Sequence, residues 1–222
     1  MSFVNECINE CLPIWKQCLE SPFLARLEND TLEEECFKGY IVDDSLYLRE
    51  YAKVFAWGMT KAKTLADIKA FYSLLSFVNA GEGNTRIKYL KKWGLDDAAI
   101  QHLPLREANA DYVNTMLTEA QKGSGVPECM MAALPCVISY SWIFKQMVAR
   151  TPEVLNGKYA DLVKDYTDAD YDVICREWID FTDAACEGLD EAQLAHCREI
   201  FKKCSYHELN FWTMSSSPRE DV

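Results

Sequence analysis

Apolar residues recur at helical spacing along the chain, with polar residues on the opposite faces. Amphipathic runs of this kind cover residues 31–63, 64–94, 105–121, 127–150, 158–166, 167–188 and 190–214. No segment shows the strict alternation that a hairpin strand requires, and no long linker separates two parts. The pattern therefore predicts an all-α, single-domain multi-helix bundle over residues 1–222, without a sheet and with a polar, frayed tail at about 215–222.

Residues at the predicted helix ends agree with this interpretation. Thr31, followed three positions later by Glu34, is typical of a capping box that opens the first long run. Thr64 stands where the N-cap of the next run is expected. Gly81 and Gly83 are expected to weaken that second run locally, because glycine is a poor helix former.

Composition and charge narrow the class of protein. The 222 residues are 49% hydrophobic and carry a formal net charge of -12, which disfavours binding to nucleic acid or to an anionic membrane surface. The longest nearly uncharged run, residues 129–144, contains a proline and is shorter than a membrane span of roughly 20 residues. The first residues do not resemble a secretory signal. We therefore expect a soluble, cytoplasmic protein with neither nucleic-acid nor membrane partners.

The cysteine and histidine patterns disfavour a metal site, and the glycine pattern disfavours a phosphate-binding loop. Ten cysteines without a secretory signal indicate reduced thiols, and no CxxC pair suggests a zinc site, so we interpret most of them as small buried hydrophobes. None of the three histidines belongs to the Glu-x-x-His pairs of di-iron bundles. No glycine-rich phosphate loop is present. We expect neither a metal nor a cofactor.

One carboxylate interrupts an aromatic face of the first long run. Tyr40, Asp44, Tyr47 and Tyr51 follow one another at steps of four, three and four, which places them on one side of a helix. The neighbouring Asp43 points about a quarter turn away. A carboxylate on a buried face must be paired, hydrogen-bonded or neutralised.

A second carboxylate interrupts an apolar face near the C-terminus. Glu208 shares a helical stripe with Phe201, Cys204 and Phe211. Either carboxylate alone is compatible with a structural role, such as pairing with an arginine. Two of them on distant helices favour a functional site.

The stretch "AALPCVISY", residues 132–140, adds an unusual cysteine. Pro135 lies inside a predicted helix, where it removes a hydrogen bond and tends to bend the axis. Such a bend would turn Cys136 and Tyr140, one turn apart, toward a common cavity. The pattern leaves Cys136 open between a core thiol and a nucleophile, since nearby carboxylates raise rather than lower a thiol pKa.

Five blocks resemble one known family over almost the whole chain. They are "YIVDDSLYLREYAKVFAWG" at 40–58, "ADYVNTM" at 110–116, "AALPCVISY" at 132–140, "YADLVKDY" at 159–166 and "SYHELNFWTM" at 205–214. In order and spacing they are similar to the TenA family, also called thiaminase II or aminopyrimidine aminohydrolase. This resemblance implies a haem-oxygenase-like all-α fold used without haem or metal, and a homotetramer.

The resemblance also implies roles for individual residues. Cys136 would be the nucleophile, Asp44 the pyrimidine-binding carboxylate and Glu208 the second acid. The rings expected to contact the substrate are Tyr47, Tyr112, Tyr140 and Tyr166. Tyr112 and Tyr166 come from the resemblance alone.

The implied reaction is hydrolysis of an aminopyrimidine in thiamine salvage. The expected small-molecule substrate is 4-amino-5-aminomethyl-2-methylpyrimidine or thiamine itself. One alternative is a non-catalytic pyrimidine-binding or regulatory protein of the same fold, which only turnover would distinguish. A related helical oxidase is disfavoured, because those relatives rely on histidine and this chain has three.

Three positions depart from the family pattern. Ser141–Phe144 lacks a glutamate that many members carry there, Arg86 replaces a frequent histidine, and Ser21 stands where "HPF" often begins. These departures bear on substrate preference more than on reaction type.

Overall fold

The computed structural model describes residues 2–80 and 83–222, which form eleven α-helices and no strand. The helices are α1 (Phe3–Leu19), α2 (Pro22–Glu28), α3 (Glu34–Lys61), α4 (Leu65–Ala80), α5 (Gly83–Lys92), α6 (Asp97–Ile100), α7 (Glu107–Lys122), α8 (Val126–Arg150), α9 (Ala160–Thr167), α10 (Ala169–Cys186) and α11 (Glu191–Ser215). A 3₁₀ helix at Pro152–Asn156 connects α8 to α9. The prediction of an all-α single domain is confirmed.

Helix α8 lies at the centre of this bundle. It packs against α1, α3, α7, α9, α10 and α11. In the part of the chain that the structure describes, α8 is the one helix long and apolar enough to cross a membrane, but 89% of that apolar stretch is buried inside the protein. A helix that is apolar all round is the expected core of a bundle, so packing within this chain explains its composition.

The cysteines fill the core between these helices. All ten are buried, and none forms a disulfide. This confirms the interpretation of most of them as small hydrophobic residues.

The prediction of a capping box at the N-terminus of α3 is wrong. The residue at the N-cap position is Glu33, whose side chain makes no capping bond. Thr31 closes the preceding helix instead, because its backbone N–H donates to the Arg26 carbonyl oxygen at 2.8 Å. The left-handed Asp30, at φ 57°, makes this closing turn possible.

The run predicted over residues 64–94 forms two helices. Thr64 caps the first, since its Oγ1 accepts from the Asp67 N–H at 3.1 Å, as expected of an N-cap. Helix α4 ends at Ala80, and Gly83 is the first residue of α5. Gly81, the other glycine expected to weaken the run, lies outside the described residues.

The C-terminal tail is bound rather than frayed. The Arg219 side chain is 1% exposed, and its Nη1 donates to Asp43 Oδ1 on α3 at 2.6 Å. Its Nη2 donates to the Pro104 carbonyl oxygen at 2.8 Å. Because a buried guanidinium requires such partners, residues 216–221 are held against the bundle. We call this segment the C-terminal strap.

Candidate active site

The aromatic face of α3 turns toward α8. Tyr40, Tyr47 and Tyr51 on this face are 1%, 3% and 1% exposed, whereas Asp44 has intermediate exposure. The Tyr51 hydroxyl donates to the Ala133 carbonyl oxygen of α8 at 2.9 Å. That bond fixes α3 against the turn of α8 that precedes Cys136.

Helix α8 continues through Pro135 without a break between Val126 and Arg150. Cys136 and Tyr140, one turn apart, are 7% and 4% exposed. The Tyr171 hydroxyl of α10 donates to the carbonyl oxygen of Val137, adjacent to Cys136, at 3.2 Å. The bend expected at the proline remains a prediction.

Glu208 on α11 is the point where three helices meet. Glu208 is 1% exposed, and its Oε1 accepts a hydrogen bond from the Tyr112 hydroxyl of α7 at 2.6 Å. The thiol of Cys136 from α8 is hydrogen-bonded to the same side chain. The carboxyl group therefore connects a candidate nucleophile to a phenol.

Two groups of rings flank this connection. On the α3 side, the Tyr47 ring centroid lies 5.0 Å from that of Tyr112. On the α8 side, the Tyr140 ring lies 4.8 Å from both Tyr166 of α9 and Trp212 of α11. Tilted rings at these separations are in favourable aromatic contact with one another.

Burial raises the pKa of Glu208 to about 8. The hydrogen bond from Tyr112 acts in the opposite direction, the charge of Asp44 raises the pKa further, and the bond to Cys136 lowers it. Burial dominates because water no longer stabilises the charged form. Glu208 is therefore mostly protonated at neutral pH and can act as a proton donor.

Burial also raises the pKa of Asp44, to about 7. The Arg86 guanidinium lowers it and the neighbouring Asp43 carboxylate raises it. Asp44 thus has a positive group on one side and a like charge beside it in the chain. Near neutral pH a substantial fraction of Asp44 is ionised and able to accept hydrogen bonds.

The tyrosines around the carboxyls are neutral donors. Burial raises the pKa of Tyr47, Tyr112 and Tyr140 well above the usual value. These hydroxyls therefore keep their protons throughout the physiological pH range.

All seven residues predicted for the site lie in this one region. Tyr47, Tyr112, Glu208 and Cys136 are linked by the contacts described above, and Tyr140 and Tyr166 pack together beside them. Asp44 belongs to the same region, because its charge acts on both Glu208 and Tyr140.

Sequence reasoning missed the partners of Asp43. This carboxylate is fully buried and accepts from Arg106 Nε at 2.8 Å and from Arg219 Nη1 at 2.6 Å. Asp43, and not Asp44, therefore has the structural role of a carboxylate paired with arginine. The adjacent aspartates were the only sign of it in the sequence.

Two of the three departures from the family pattern reach the site. Phe144, in the Ser141–Phe144 segment, stacks on the Tyr166 ring at 5.4 Å. Arg86 donates to Ser45 Oγ at 3.1 Å and to Asp97 Oδ1 at 2.9 Å, and its charge acts on Asp44. Ser21 instead caps α2, and Ser141 is hydrogen-bonded to Cys175. Within residues 2–80 and 83–222, no group of three or more histidine, cysteine or acidic side chains is arranged to hold a metal ion.

A family model provides the deciding comparison. The model of the TENA/THI-4/PQQC family matches residues 8–217. The chain belongs to this family.

Members of the TENA/THI-4/PQQC family similar to this chain include two named enzymes. An aminopyrimidine aminohydrolase of Helicobacter pylori is 30% identical over 91% of this chain and 93% of its own length. An aminopyrimidine aminohydrolase of Halalkalibacterium halodurans is 27% identical over 99% of this chain and 97% of its own length. A solved TenA homologue from P. horikoshii OT3 superposes with a TM-score of 0.83 at 25% identity, covering 97% of this chain and 98% of the other.

Proposed function

We propose that this protein is an aminopyrimidine aminohydrolase of thiamine salvage. Its main reaction converts 4-amino-5-aminomethyl-2-methylpyrimidine and water into the 5-hydroxymethyl pyrimidine and ammonia, and cleavage of thiamine to pyrimidine and thiazole is a second reaction of the same type. The relatives' names support the substrate class. The hydrogen bonds from Cys136 and Tyr112 to Glu208 are the observation that carries the proposal.

The rings and Asp44 would bind the substrate. A pyrimidine is flat and presents donors and acceptors along its edges, which suits stacking between tyrosines. Tyr47 and Tyr112 supply one aromatic wall, and Tyr140 and Tyr166 supply another. The ionised fraction of Asp44 would accept the amino or protonated ring-nitrogen edge.

In the first chemical step, the Cys136 sulfur bonds to the ring carbon next to the one that bears the methylene. The thiol proton passes to Glu208 as Glu208 gives its own proton to a ring nitrogen, so the adduct is neutral at the ring. A protonated Glu208 hydrogen-bonded to the thiol suits this exchange.

The adduct is no longer aromatic and expels the amine. The ring nitrogen supplies the electron pair that forms the exocyclic double bond, and the methylene–nitrogen bond of the protonated amine breaks to release ammonia. Water then adds to the methylene, and its proton passes to the released ammonia. The carbon–sulfur bond breaks, the ring becomes aromatic again, and the ring-nitrogen proton returns to the thiol through Glu208.

Exchange of the candidate nucleophile tests the proposal. Cys136→Ala should fold but lose turnover of the aminomethyl pyrimidine and of thiamine by roughly a thousandfold or more, measured as release of ammonia and of thiazole. The control is Cys175→Ala, because Cys175 is 8% exposed where Cys136 is 7% and lies outside the candidate site. It should retain turnover.

Two outcomes would count against the proposal. Full turnover by Cys136→Ala would exclude its role as nucleophile. Binding of the aminopyrimidine by the unmodified protein without turnover of either compound would instead favour a pyrimidine-binding protein.

We also expect a homotetramer in the cytoplasm. Four chains of 25.4 kDa would sediment together, which analytical ultracentrifugation measures directly. A monomeric mass at micromolar concentration would contradict this expectation.

A further inference from the structure

A fully buried carboxylate lies directly beside Asp44 and depends on two arginines for its charge. Asp43 is 0% exposed. Both Nε and Nη2 of Arg106 donate to its Oδ2, and Nη1 of Arg219 donates to its Oδ1 at 2.6 Å. A buried carboxylate remains ionised where cationic partners compensate its charge.

The C-terminal strap is built to hold Arg219 there. Arg219 forms two bonds of 2.8 Å with Asp221 and one of 2.8 Å with the Pro104 carbonyl oxygen. Arg106 in turn donates to the carbonyl oxygen of Ser217 in the strap at 3.0 Å. The Arg219 guanidinium therefore binds Asp43, another strap residue and the loop before α7. The Arg106 guanidinium binds Asp43 and the strap.

A glycine on α3 lets the strap approach. Gly39 lies one turn before Asp43, and a Cβ atom there would come within 3.1 Å of the Arg219 backbone nitrogen. Such a contact is too close without movement of the strap. The strap thus docks on the α3 turn that leads into Asp43 and Asp44.

We infer that Arg219 is a positioning residue of the candidate active site, whose charge offsets that of Asp43 and so favours the ionised form of the neighbouring Asp44. This inference deepens the proposed function and rests on it for the role of Asp44. Arg219 itself would not touch the substrate.

The sign of the effect follows from the surrounding charges. Asp43 raises the pKa of Asp44 because both groups are negative. The other charged or titratable groups that interact electrostatically with Asp44 are Arg86 on α5, Glu208 on α11 and Tyr140 on α8. Without Arg219, Asp43 keeps Arg106 and its charge, but less of that charge is compensated, so the pKa of Asp44 should rise.

The test follows the Asp44 carboxyl carbon by NMR in protein labelled with ¹³C at aspartate Cγ, with Asp44→Asn used to assign the signal. In Arg219→Gln the Asp44 titration should move up by about one pH unit, the scale for one unit charge lost at roughly 10 Å. In Asp43→Asn it should move down. In Asp43→Asn/Arg219→Gln it should lie above that of Asp43→Asn, because the lost Arg219 charge acts on Asp44 with or without Asp43.

Three further variants separate charge from structure. Arg219→Lys keeps the charge and should stay within a few tenths of a pH unit of the unmodified protein. Arg198→Gln removes a surface guanidinium that pairs with Glu10 and should leave the signal unmoved. If Arg219→Gln fails to fold, Gly39→Leu places a larger side chain against the strap with every charge retained, and it should move the titration upward.

An unchanged or lowered Asp44 titration in Arg219→Gln, or in Gly39→Leu where it replaces that variant, would overturn the inference. So would an Arg219 effect that disappears once Asp43 is neutral. The NMR measurement needs no substrate, so a shifted titration without turnover would contradict the proposed function alone. Normal turnover with an unshifted titration would contradict the inference alone. Where turnover is present, the limb of its pH profile that depends on ionised Asp44 should move with the NMR titration.

Discussion

Glu208 joins three helices through one carboxyl group. Tyr112 approaches from α7 and Cys136 from α8, while the glutamate itself belongs to α11. A buried carboxyl with two hydrogen-bond partners has a defined orientation and a defined proton. Any change in one partner should therefore alter the behaviour of the whole group.

Removal of the Tyr112 hydroxyl tests this coupling. Tyr112→Phe should lower kcat for the aminopyrimidine by about tenfold to a hundredfold, the usual worth of a hydrogen bond to an ionisable group. Because that bond lowers the pKa of Glu208, its loss should also move the limb of the pH profile that requires protonated Glu208 to higher pH. Tyr89→Phe, which removes a hydroxyl bound to the Lys158 carbonyl oxygen far from the site, is the control. Unchanged kcat and profile in Tyr112→Phe would contradict the coupling.

At the scale of single residues, the sequence predicts those site residues that interrupt a local hydrophobic pattern. Asp44 and Glu208 interrupt apolar faces, so helical spacing alone points to them. The pair of Asp43 and Arg219 is separated by 176 positions, and periodicity contains no information about such partners. Arg219 also stands in a polar tail, which has the composition of a solvated segment.

At the scale of elements, most long helices follow from their period and the short ones do not. Helix α1, Phe3–Leu19, is a long helix that lies outside every predicted run. Helix α6 has four residues and the 3₁₀ helix five, too few for a repeat of 3.6 to be visible. Thr31 shows a second limit, because the same residue can open one helix or close another. Its role depends on Asp30 and the backbone turn there, which the pattern did not indicate.

Helix α8 combines a buried proline with the candidate nucleophile. We expect Pro135→Ala to restore a backbone hydrogen bond worth up to about 3 kcal/mol, offset by about 1 kcal/mol of lost apolar contact. The free energy of unfolding, measured with urea, should therefore rise. The kcat should fall, since a straighter helix would redirect Cys136 and Tyr140.

Pro13 provides a matched comparison within α1. It is exposed, so Pro13→Ala should gain the backbone bond without losing contacts and without changing kcat. Retention of full kcat by Pro135→Ala would show that the proline plays no part in placing Cys136.

For the whole molecule, the carboxyls of Glu208 and Asp44 make stability depend on pH. The pKa of Glu208 rises from 4.5 to about 8 and that of Asp44 from 3.8 to about 7, mainly through burial. The folded chain therefore binds protons more tightly than the unfolded chain across this interval. The free energy of unfolding should fall as pH rises from about 5 to 8, by up to about 1.4 kcal/mol per pH unit for each carboxyl.

Urea unfolding at several pH values, with Glu208→Gln as the variant, measures this dependence. The free energy of unfolding of the variant should fall less steeply as pH rises. The stability of the variant relative to the unmodified protein should be greatest at pH 8. Glu34→Gln is the control, because hydrogen bonds from Lys92 and Trp93 lower the pKa of Glu34 to about 2, leaving it ionised in both states over this range. Equal slopes for the unmodified protein and Glu208→Gln would contradict a neutral buried glutamate.

The buried cysteines make the opening of individual helices measurable. They are distributed over α1, α3, α8, α10 and α11, and none is exposed in the folded chain. Apart from Cys136, the candidate nucleophile, a small alkylating reagent can reach these thiols only when the surrounding helices separate, so the labelling rate under native conditions reports a local opening equilibrium. Mass spectrometry of peptides from the labelled protein would rank those openings and show whether ligand binding slows the ones around the candidate site.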